Sequence, residues 1–133
     1  MRTLALLSLL IASSAFAATD ADREKAFKAD IAPLLEKSCA NCHDPKKAKN
    51  GKVKSGFNSS SLAEVIKGGS DDGAGITWGD ASKSSIFKSV SLALTDPEHD
   101  DAMPLKKSYE KNPPLTKEQV AKVKAFIDAK SDR

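Results

Sequence analysis

The chain has 133 residues, of which 29% are charged and 5% aromatic, with a formal net charge of +3. That length fits one domain, and so small a net charge gives no electrostatic footprint for a nucleic acid or a membrane surface. The aliphatic residues are scattered over short segments, so the core this sequence can build from its own side chains is thin.

Residues 1–17 read as a secretory signal. Arg2 is the positive start, Leu4 to Ile11 the apolar run, and Ala15-Phe16-Ala17 a small-x-small cleavage site. The run is too short to cross a bilayer, which takes about 20 residues. No later segment is longer or more apolar. The expected product is one soluble domain, residues 18–133, exported to the periplasm or another compartment outside the cytoplasm.

From Ala21 to Ser38, Phe27, Ile31, Leu34 and Leu35 recur with the helical period. Pro33 interrupts them. It removes a backbone donor, so the helix is either kinked there or begins near Asp30 with Pro33 in its first turn.

The helix leads into Cys39-Ala40-Asn41-Cys42-His43. This is C-x-x-C-H, the attachment sequence of c-type haem. Two thiols three positions apart can each add to one of the two vinyl groups of a porphyrin. The next residue, His43, is then carried beneath the ring, where its imidazole can ligate iron. A bare C-x-x-C could instead be a dithiol redox pair or half of a zinc site. Structural zinc takes four protein ligands. Beyond these three residues the chain offers only His99 as a further Cys or His. A thioredoxin-like motif belongs in a βαβ pattern, and no such pattern occurs. Export permits a Cys39–Cys42 disulfide, so compartment alone does not decide.

Asp44 to Ser60 is polar, with Pro45, Gly51 and Gly56, and reads as a loop. Its Lys46, Lys47, Lys49, Lys52 and Lys54 are either a solvated run or a docking patch. Ser61-Leu62-Ala63-Glu64 is a capping box opening a short helix that Gly68-Gly69 ends. The glycine-rich stretch from Ser70 to Gly79 lacks G-x-G-x-x-G and follows no strand, so it is not a phosphate cradle. Trp78, at its end, is either core or a neighbour of the haem.

Asp80 or Ser82 can cap the next helix, with Ile86, Phe87 and Val90 on one face. Asp96 to Asp101 is an acidic loop, followed by Met103-Pro104, Tyr109 and the breakers Pro113-Pro114. The last helix has the fullest local signal. Thr116 and Gln119 form a capping box, Leu115 and Val120 a staple across it, and Val120, Val123, Phe126 and Ile127 an apolar stripe. No alternating strand pattern occurs, so the fold class is all-α.

His43 fills one axial position of the iron. Met103, 60 positions later, is the only methionine beyond the signal, and it is the expected second ligand. A thioether raises the potential relative to a second imidazole. His99 and an open site are the rivals.

With these residues placed, the chain resembles the class I cytochromes c, and more narrowly the planctomycete-type cytochrome c domain. The resemblance covers most of residues 27–129. It rests on Phe27, Asp30-Ile31 and Pro33-Leu34-Leu35 before the haem motif, then Gly51, Gly68-Gly69, Gly79-Asp80 and Ser84-Ser85. Met103-Pro104, Leu115-Thr116 and Gln119 complete it. It implies a small fold of helices and loops wrapped around one covalent haem. It also implies thioether bonds at Cys39 and Cys42, His43 as proximal ligand and Met103 as distal ligand. Leu105, Trp78 and a long Lys106–Pro114 segment depart from the pattern.

These features predict an exported monohaem cytochrome c, a monomer that carries single electrons to and from a transient redox partner. It needs no catalytic base and no substrate site. Two other readings stay open: a haem enzyme or gas or redox sensor with an open or displaceable distal site, and a haem-free dithiol oxidoreductase.

Overall fold

In the computed structural model, which describes residues 18–129, all regular structure is helical and no strand occurs among the described residues. The expected signal, residues 1–17, lies outside them. No helix among the described residues is long and apolar enough to cross a membrane.

The first helical stretch starts earlier than its apolar period suggests. Thr19 caps it through a reciprocal box with Asp22: Thr19 Oγ1 accepts from the Asp22 N–H, and the Asp22 carboxylate accepts from Thr19. α1 (Asp20–Ala26) passes through a π turn (Phe27–Ile31) into α2 (Ala32–Ser38). Both expectations for Pro33 are thus partly met. The chain does not stop, but α2 begins afresh with Pro33 in its first turn, and the wider turn before it gives the ring room beside the preceding carbonyls. Phe27, Ile31 and Leu35 are all buried.

α3 (Ala40–His43) carries most of the C-x-x-C-H motif. The following loop is irregular as expected, tightened by turns at Lys49–Gly51 and Lys54–Gly56. α4 (Leu62–Lys67) is capped by Ser61 Oγ, which accepts from the Glu64 N–H, and ends at Gly68 with φ of +83°. Of the expected capping box, this is the bond observed.

α5 (Ser85–Thr95) departs from expectation at its start. Asp80 caps only the turn Ala81–Lys83, and Ser84, in the capping position of α5, makes no side-chain cap. Instead the Ser85 and Ile86 N–H groups donate to the Ala74 and Gly75 carbonyls at 3.1 and 3.3 Å. A distant strip of backbone therefore satisfies orphan donors of the first turn. Gly75 makes this possible, since a Cβ there would lie 1.8 Å from the Val65 carbonyl oxygen.

α6 (Lys117–Asp128) has the predicted Thr116–Gln119 box in both directions, and Val120, Val123 and Ile127 are buried. It packs on α5 and on the π turn, with Phe126 and Phe27 ring centroids 6.2 Å apart. Its C-terminal end is tied to the 79–81 segment. The Gly79 N–H donates to the Ile127 carbonyl and the Ala81 N–H to the Asp128 carboxylate, both at 2.9 Å. The core thus joins the π turn, α2, α4, α5 and α6, and it includes Cys39, Ile86 and Val90.

Candidate functional site

The chain turns at Cys39 (φ −125°, ψ −33°), between α2 and α3. Its N–H still donates to the Leu35 carbonyl at 2.8 Å, while its own carbonyl accepts from the Cys42 and His43 N–H groups at 3.1 and 3.0 Å. One tight turn of backbone therefore fixes both thiols and the imidazole. Cys39 is buried and Cys42 half-buried, and both are free thiols. Burial, with a smaller contribution from nearby Cys42, pushes the Cys39 thiol up to about 12.

His43 is oriented by the loop that follows it. Its Nδ1 lies 3.2 Å from the Phe57 carbonyl oxygen, its ring meets the Phe57 ring edge-on at 5.2 Å, and its carbonyl accepts from the Ser59 N–H at 2.7 Å. A carbonyl only accepts, so Nδ1 carries the proton and Nε2 keeps its lone pair. Burial pushes the His43 pKa down, against the opposing pull of the Phe57 carbonyl. Both effects serve a metal ligand: the imidazole is kept neutral, and the tautomer is set by the other ring nitrogen.

Cys39, His43 and Met103 line one cavity of about 220 Å³. Ile86, Ser89 and Val90 of α5 form its wall. Met103 is held there by its N–H, which donates to the Ser89 carbonyl at 3.0 Å, and the Met103–Pro104 peptide bond is cis. The residues expected to be axial ligands, 60 positions apart, are therefore brought together. Cys42 and His99 are not among the lining residues. His99 is exposed, and its Nδ1 accepts from the Asp101 N–H at 3.1 Å. The donor set of the cavity, one thiol, one neutral imidazole and one thioether, fits a covalently held haem.

Sequence reasoning missed the electrostatics of the mouth. Exposed Asp71 and Asp72 from one loop meet Asp100 and Asp101 from another at the same cavity. Each pair is visible in the sequence as part of a polar loop, but no local signal says that the two loops converge. The serines Ser85 and Ser89 on the α5 wall were missed for the same reason.

All five lysines of the 46–54 loop are exposed, and Lys47 is ion-paired with Glu36. None lines the cavity, but Ser55 and Phe57, which follow them directly, do. Trp78 does not line it. Trp78 meets Phe126 edge-on at 5.3 Å, with the buried Arg23 guanidinium 4.1 Å from the centre of its ring, which is a core role. Tyr109 donates its hydroxyl to the Ala93 carbonyl at 3.4 Å. Among the described residues, no three His, Cys, Asp or Glu side chains come together as a metal site of their own.

No family model, curated protein or solved structure matches the chain.

Proposed function

We propose that the chain is an exported c-type cytochrome with a single haem, carrying one electron at a time. The observation that carries the reading is that Cys39 and His43 share a cavity with Met103, the only methionine beyond residue 17. When bound, haem supplies the iron that takes up and releases the electron. Cys39 and Cys42 attach the group, His43 presents Nε2 while Phe57 holds Nδ1, and α5 holds Met103 through Ser89. The resemblance to class I cytochromes c supports the same assignment.

The Lys46–Lys54 loop beside Ser55 and Phe57 is the docking surface for a transient redox partner carrying negative charge. The protein works as a monomer outside the cytoplasm.

A dithiol oxidoreductase needs a reactive thiol of lowered pKa. Cys39 is buried and raised to about 12, which disfavours that reading.

The test is intact mass after acid–acetone extraction of protein produced with its export and haem-attachment machinery. The expected mass is that of the polypeptide plus one haem. The mass of the bare polypeptide would overturn the proposal.

A further inference from the structure

The long segment between Met103 and α6 runs back to the C-x-x-C-H motif. Its turns follow one another closely. Ser108 donates both its N–H and its hydroxyl to the Leu105 carbonyl at 2.8 Å, and the Lys111 and Asn112 N–H groups donate to the Ser108 carbonyl at 2.9 and 2.8 Å. One end of the segment is pinned to α5 through the Met103 N–H and Ser89. The other end is pinned to the motif itself: Asn41 Nδ2 donates to the Asn112 side-chain oxygen at 3.0 Å and lies 3.3 Å from the Lys111 carbonyl oxygen. Asn112 is buried, although it is polar and far from any helix interior. Asn41 stands between the two cysteines and two positions before His43.

We infer that Asn41 and Asn112 form a latch that holds the Met103 loop closed on the cavity, so that the two act as positioning residues for the distal ligand. This rests on the reading of Met103 as that ligand. For Met103 to leave the cavity, the segment 103–112 must swing away from α5 or from α3. Local opening is governed by the few contacts that break in it. The latch is the side-chain bond that joins the segment carrying Met103 to the segment carrying His43. A side-chain hydrogen bond of this kind biases an equilibrium by about two- to tenfold.

The measurement is imidazole binding to the oxidised holoprotein, in which imidazole competes with Met103. Asn41→Ala and Asn112→Ala should bind imidazole about two- to tenfold more tightly than the unaltered protein, with covalent haem retained. Asn41→Ala truncates the exposed partner of the pair, leaves no cavity at the buried position, and keeps the test usable if Asn112→Ala fails to fold. Lower thermal midpoints with unchanged imidazole affinity in the alanine variants would show a merely structural contact and overturn the latch. If the unaltered protein carries covalent haem but no sulfur-to-iron absorption band, the assignment of Met103 falls, and the latch with it.

Discussion

Single side chains decide the chemistry of the cavity. Met103 is the thioether it contains, so on the proposed cytochrome reading Met103→Ala should leave haem covalently bound, abolish the sulfur-to-iron band and lower the reduction potential. Visible spectra and voltammetry of the purified variant check this, and an unchanged spectrum would point to another ligand. On the same reading the four aspartates at the mouth act in the opposite direction. A carboxylate about 10 Å from a redox centre stabilises its more positive state by about 0.4 kcal/mol in high-dielectric surroundings, or roughly 20 mV for one electron. Asp71→Asn/Asp72→Asn should therefore raise the potential by roughly 40 mV at low salt and less at high salt. Voltammetry at two ionic strengths tests this, and a shift in the other direction would refute it.

At the scale of helices, legibility in the sequence followed the range of the forces. α6 was readable because its cap, its staple and its stripe all lie within one short stretch. Thr116→Ala removes the cap oxygen and should lower stability by about 1 kcal/mol, measurable as a shifted urea midpoint with covalent haem unaffected. α5 was readable in its apolar face but not at its start, because carbonyls eleven residues upstream serve its first amides. The π turn was not readable at all. Pro33 announced a disturbance, but whether the chain bends, stops or widens depends on what Phe27 and Ile31 pack against. The site divides in the same way. Cys39, Cys42 and His43 form a contiguous motif, and Met103 stood out by elimination. The aspartates and the α5 serines reach the cavity only through tertiary packing, which leaves no local pattern.

For the molecule as a whole, the cavity wall is continuous with the core. Cys39, Ile86 and Val90 belong both to the buried cluster and to the cavity wall. On the proposed reading, covering the apolar wall of the cavity at about 25 cal/mol per Å² contributes about 2 kcal/mol, a sizeable share of the stability of a small domain. A Cys39→Ser/Cys42→Ser variant made without haem should therefore show reduced helix content and no cooperative thermal transition by circular dichroism. A sharp transition with full helix content would refute this.

The widened turn at Phe27–Ile31 bears on how this chain can change its length. A π turn holds one residue more than the α turn it replaces. Losing a residue elsewhere in the first helical stretch rotates everything before the gap by about 100°, which takes Arg23 off Trp78. Losing exposed Ala29 instead lets the turn shrink to an ordinary α turn, with Arg23 and Leu35 still facing inward. The shortened helix then brings a carbonyl against the Pro33 ring. An Ala29 deletion should therefore cost about 3 kcal/mol while Pro33 is present and less once Pro33 is replaced.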